Sequence, residues 1–181
     1  MKSNKTDFEK DHWFFITTSI INHNHILHKK ENAIIVLNSL NYFVRNKKLH
    51  IGAFVIMSNH IHYIAKPRNE HRLSDINRDF KKFTAQQIIF RMQDNHDNTL
   101  EKFIVNKKDR KLQIWKRGSN IKNIYSRDFM IQKIEYIHNN PCQIHWNIAH
   151  SPENYEYSSA SFYIKNEPSK YIELFDLRKI L

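Results

Sequence analysis

Apolar residues fall in short clusters along this chain, and the period of the pattern changes from one cluster to the next. "HWFFITTSI" (12–20) is aromatic and β-branched, which predicts a strand. The polar "NHNHILHKKE" that follows reads as a loop. Ile34, Leu37, Tyr42 and Val44 recur at helical spacing and predict a helix over 31–46. "LHIGAFVIM" (49–57) and "HIHYIAKP" (60–67) read as two strands joined tightly through Ser58 and Asn59. A long helix follows over 73–93, with Ser74 as its cap and Ile76, Phe80, Phe83, Gln87 and Phe90 along one stripe. After a polar break, "KLQIWK" (111–116) reads as a short strand. A last helix starts at a Ser126 cap and stops before Pro141. The remainder, to Leu181, carries aromatic anchors without a clear period.

The resulting order, β-α-β-β-α-β-α, is an α+β pattern. Its first six elements have the order of a ferredoxin-like split βαβ sandwich, an antiparallel sheet with helices on one face and one further helix after the core. The other sheet face is free to carry a site.

Length and composition set bounds on that picture. The chain has 181 residues and 40% hydrophobic residues, which fits a single domain. Its core is expected over about 10–145, with a tail over about 146–181 that packs on it or contacts a ligand. A single cysteine, Cys142, makes no internal disulfide or cysteine-based zinc site and suits a reducing cytoplasm. The first residues lack the apolar stretch of a signal peptide, and no apolar run is long enough for a membrane span. The net charge is +11, and a small domain this basic tends to meet a polyanion, nucleic acid above all. A general excess of Lys and Asn is the plainer account of the same number.

Against this background His60 and His62 stand out, because they interrupt an apolar strand. Residues i and i+2 of a strand point to one face, about 6.6 Å apart along it, so the two imidazoles project together and can each give one nitrogen to a divalent ion. The pair needs a third protein ligand. A second His-x-His, His23 and His25, falls in the polar loop with nothing to fix it. In the last helix Met130, Ile134 and Ile137 form the apolar stripe. Tyr136 lies about 100° off it, and Asn140 is one turn further on the same side. A boundary tyrosine and a helix-ending asparagine are the structural readings of these two positions.

Taken together, "MSNHIHYIAKP", then "YIHNNP", then "WNIAHSPENYEYSSASFY" resemble the single-tyrosine HUH transposases, and among them the REP-associated tyrosine transposases. The resemblance runs from "FFITTSI" to "YSSASFY". It implies a ferredoxin-like core, with His60 and His62 as the HUH metal pair, Tyr136 as the nucleophile and Asn140 as the third ligand. The implied cofactor is Mg²⁺ or Mn²⁺, and the imidazole ligands favour Mn²⁺ of the two. The implied partner is single-stranded DNA with hairpin or palindromic ends, bound by a monomer or a homodimer in the cytoplasm, at the nucleoid. The segment 100–115 is longer than the compact link the family pattern leads one to expect.

The implied chemistry is metal-dependent strand cleavage and rejoining through a 5′-phosphotyrosine. Tyrosine has a reference pKa near 10 and a phosphodiester is anionic, so the reaction needs electrostatic help. Arg78, Lys81 and Lys82, with Lys107, Lys108, Arg110 and Lys111, are candidate phosphate contacts. Trp115 and Trp146 are stacking candidates, more readily read as core. Two alternatives remain at this stage: a hairpin-binding protein without catalysis, and an HUH nickase of the replication-initiator or relaxase type.

Overall fold

The computed structural model describes residues 12–68 and 70–181. Strand β1 (Trp13–Ser19) leads through a short loop to helix α1 (Lys30–Arg45), then to strands β2 (Leu49–Ile56) and β3 (His60–Pro67) and helix α2 (Leu73–Asp94). A small hairpin follows, β4 (Ile104–Lys107) and β5 (Arg110–Leu112), then strand β6 (Asn120–Ile124) and helix α3 (Arg127–Asn139). One further short helix, α4 (Ala160–Ile164), lies in the tail.

The main sheet has the order β2-β3-β1-β6, with every neighbouring pair antiparallel. This is the ferredoxin-like order expected from the sequence, with the first and third core strands in the centre. Alternation along the strands sends Phe14, Ile16, Phe54, Ile61 and Tyr63 into the core under α1 and α2. Phe15, Val55, Met57 and Ile64 go to the opposite face, where Met130 and Ile137 of α3 cover them. Both faces of β2 and β3 are therefore buried, which is why the two strands read as nearly continuous apolar runs.

Four details differ from the sequence pattern. The fourth strand of the sheet is β6, not 111–116. Residues 110–112 pair instead with β4 in a separate hairpin, and Trp115 makes a single bridge to Ile20. β6 escapes a hydrophobicity reading because it is an edge strand, "NIKNI", exposed over most of its length. On α2 the buried stripe runs Leu73, Ile76, Phe80, Thr84, Ile88 and Met92, leaving Phe83 and Phe90 about half exposed. Thr84 is tolerated there because its hydroxyl donates to Phe80 O (2.7 Å) and accepts from Trp115 Nε1 (2.9 Å). That helix starts after Arg72, so Ser74 lies within it and caps nothing. On α1, similarly, Ala33, Val36, Leu37, Leu40 and Phe43 are buried while Tyr42 faces out.

The tail packs. Ser159 accepts from Phe54 N (2.9 Å), Tyr155 donates to Ile56 O (2.7 Å), Phe175 N donates to Ile51 O (2.8 Å), and Leu177 is fully buried against β2. Among the described residues no helix is long and apolar enough to cross a membrane.

Candidate functional site

His60 and His62 leave β3 on the face covered by α3. Their ring centroids are 4.6 Å apart and the ring planes nearly perpendicular. Each ring is held by its Nδ1. For His62 the partner is Thr17 Oγ1 at 2.8 Å, and Thr17 sits directly opposite it in the β1–β3 register. For His60 the partner is Asn59 Oδ1 at 2.7 Å. An amide oxygen can only accept, so His60 Nδ1 carries the proton and its Nε2 keeps the free lone pair.

Burial pushes His62 down to about 3, helped by the neighbouring His60 and Lys133. His60 is lowered to about 4, by burial first and then by His23, while the Asn140 side chain opposes that shift. Both imidazoles are thus neutral near pH 7, the state that binds metal.

Helix α3 brings up the remaining groups. Ser126 caps it, accepting from Phe129 N at 3.2 Å. Tyr136 is 40% exposed, with its ring 5.1 Å from that of His62 and edge-on to Phe15 at 5.9 Å. Asn140 is 1% exposed. It follows the last helical residue, and its backbone N–H closes onto Ile137 O while its Oδ1 has no hydrogen-bond partner. His138 points away, hydrogen-bonded through Nε2 to Ser159 Oγ (2.9 Å) and lowered to about 4 by burial.

Two buried side-chain atoms at this place lack a hydrogen-bond partner of good geometry, His62 Nε2 and Asn140 Oδ1, the second close enough to His60 to act on its pKa. Leaving a buried polar atom unsatisfied costs about 1–3 kcal/mol. A divalent cation held by these atoms and His60 would remove that cost, so the residues fit a metal with two imidazole ligands and one amide oxygen. Among the described residues no group of three or more His, Cys, Asp and Glu is placed to hold a metal. A site built on the histidine pair must therefore draw its third protein ligand from another residue type, as Asn140 offers.

The basic candidates cluster elsewhere. Arg78, Lys81 and Lys82 of α2 and Arg110 of β5 line a cleft of about 890 Å³, together with Lys116 and Arg117. Its floor includes Ile114, Trp115 and Ile121. Arg78 is paired with Asp75 (2.8 Å) and Asp79 (3.0 Å), and Arg110 with Asp109. Lys81 Nζ donates to the carbonyls of Lys116 (2.5 Å) and Gly118 (2.6 Å), so it ties α2 to the loop before β6. Lys107 donates to Gln113 Oε1 (3.0 Å), while Lys108 and Lys111 are exposed on the hairpin. Trp115 is core, whereas Trp146 is half-buried with its ring 5.5 Å from His60.

Sequence reasoning passed over four residues of this face: Thr17, Asn59, Phe15 and Lys133. Asn59 was legible as the residue before the histidine pair. The other three depend on strand pairing and helix docking.

No family model matches the chain, and no curated protein matches it. Among solved structures, the chain is similar to a REP-associated tyrosine transposase bound to a REP hairpin, with a TM-score of 0.63 at 17% identity, covering 92% of this chain and 89% of that one. A protein of Deinococcus radiodurans R1 assigned as a transposase aligns with a TM-score of 0.44 at 14% identity, over 70% of this chain and 88% of that one. At the level of fold, this chain has the architecture of the REP-associated tyrosine transposase.

Proposed function

We propose that this protein is a single-tyrosine HUH transposase that cleaves and rejoins single-stranded DNA beside a hairpin. The observation that carries the reading is the convergence of a half-exposed Tyr136 on the buried, unpartnered His62 Nε2 and Asn140 Oδ1. A fold shared with a hairpin-bound transposase supports it.

In this reading His60, His62 and Asn140 would hold a divalent metal, Mg²⁺ or Mn²⁺, which would supply Lewis-acid stabilisation of charge on a phosphate oxygen. The chain's own residues do the rest. Thr17 and Asn59 fix the two rings through Nδ1 and leave Nε2 facing inward. Phe15 and His62 set the tilt of the Tyr136 ring. Tyr136 Oη attacks phosphorus, the bond from phosphorus to the 3′ oxygen breaks, and the proton lost by the phenol to solvent is matched by one that the 3′ oxygen takes up. The products are a 5′-phosphotyrosine and a free 3′-OH. The covalent link keeps the phosphoryl group activated, so the reverse attack by a 3′-OH rejoins the strand without a nucleotide cofactor. The cleft between α2 and residues 109–119 offers cations to the phosphates of the hairpin.

Tyr136→Phe tests the reading. The expected result is loss of the covalent protein–DNA adduct on denaturing gels, with hairpin affinity within a few-fold of the parent. An adduct that persists in this variant overturns the assignment. Loss of hairpin binding in the parent protein overturns the whole reading, and normal binding with no adduct in either protein leaves a binding protein without catalysis.

A further inference from the structure

Lys133 is placed unlike the other lysines of the chain. It lies one turn before Tyr136 on α3, half-buried, and its Nζ rests against three aromatic rings: Phe129 at 4.9 Å, Phe15 at 5.3 Å and Tyr136 at 5.5 Å to the centroids. Among the described residues no carboxylate pairs with it. The charge that acts on it is another cation, Lys122. Lys122 stands opposite Phe15 in the β1–β6 register, and residues directly opposite share a face. Both ammonium groups therefore lie on the sheet face that carries His62 and Tyr136, at its open edge.

Such an arrangement is electrostatically incomplete. A partly desolvated ammonium normally finds a carboxylate, and a second cation nearby makes the lack of one more costly. An anion arriving between the two would satisfy both. Because the pair adjoins Tyr136, which is itself open to solvent, the anion it suits belongs to whatever lies across that tyrosine.

We propose that Lys133 and Lys122 form a phosphate subsite beside Tyr136, holding a backbone phosphate that flanks the one attacked. This rests on the transposase reading above and adds to it the path of the strand. The strand leaves the basic cleft under α2, crosses edge strand β6, and is gripped by this pair before it reaches the phenol. Ile121, which lines the cleft, and Lys122, its neighbour in sequence, mark the two sides of that edge. Lys133 acts as a positioning residue in two ways: its ammonium faces the phosphate and lies over the Tyr136 ring.

The test uses a DNA hairpin of mixed sequence with a single-stranded 5′ tail, bound to the full chain and followed by fluorescence anisotropy between about 50 and 200 mM salt. Lys133→Met keeps the apolar stem, and Lys122→Gln changes an exposed side chain with no fold to lose. Each is expected to flatten the log–log salt slope by about one unit, and the pair by about two, with the thermal melt of the protein unchanged. Lys133→Arg is expected to restore the slope. Lys179→Gln, at an exposed position of the tail, is the reference for an ordinary lysine and should leave the slope alone. A parent protein that binds no hairpin overturns this proposal together with the transposase reading. A parent that binds and forms the tyrosine adduct, with variants of unaltered slope, overturns this proposal alone.

Discussion

Asn140 shows how one residue can serve two accounts that sequence spacing does not separate. An asparagine before Pro141 ends a helix, and an asparagine one turn beyond Tyr136 suits a metal ligand. The helix end here is made by the Asn140 backbone, while its side chain is buried with Oδ1 unpartnered. Asn140→Ala should therefore leave the metal-free melting temperature nearly unchanged. It should lower Mn²⁺ affinity and DNA cleavage by about ten-fold or more, on the scale of losses seen when groups supporting a metal are removed. Isothermal titration with Mn²⁺ and metal-free thermal melts on this variant measure both. Unchanged Mn²⁺ affinity with a lowered melt would return Asn140 to a purely structural role.

Among the elements, β2 and the tail are joined at one tight spot. The register of β2 against β3 shifts between Ile51 and Ala53, and Gly52 sits in the shift. A Cβ at Gly52 would come within 2.5 Å of Leu177 Cγ, so the glycine is required by close approach rather than by its backbone angles. Tyr163 also donates to Gly52 O at 2.7 Å. Gly52→Ala is expected to cost about 1–3 kcal/mol in urea unfolding, as overpacking does. The cost should shrink when Leu177→Ala is added, because the clash is gone. Strictly additive effects of the two changes would mean that the tail is not docked here as described.

For the whole molecule the question is what the net charge of +11 is for. The carboxylates that pair with Arg78, Arg110 and Lys170 are already subtracted in that figure, and Lys81 is held by two backbone carbonyls. The uncommitted cations near the cleft and at the β6 edge are the ones a nucleic acid can use. Hairpin binding should weaken with a log–log salt slope of several units between about 50 and 200 mM, since each neutralised phosphate releases counterions. A flat response would make the charge a property of composition, unrelated to a polyanion. Lys81→Met, by contrast, should act chiefly on stability, through release of the loop at 116–118 from α2.

The sequence by itself determined the order of the first five core elements, the last helix and the face on which His60 and His62 project. These follow from periodicity, because i and i+2 of a strand share a side whatever surrounds it. It also placed Tyr136 and Asn140 on one side of their helix and Ser126 at its start. What packing alone decided was less regular. Thr84 became core because Trp115 and the Phe80 carbonyl satisfy its hydroxyl, so Phe83 and Phe90 were turned outward. β6 became a strand because β1 had a free edge to pair, with little hydrophobic signal of its own. The site was divided in the same way. The shared face of the histidines and the place of the tyrosine could be read from local spacing, while the roles proposed for them came from the family resemblance. Thr17 behind His62, and Lys122 beside Lys133, depend on strand register and helix docking. Those are contacts between residues far apart in the chain, which no local pattern encodes.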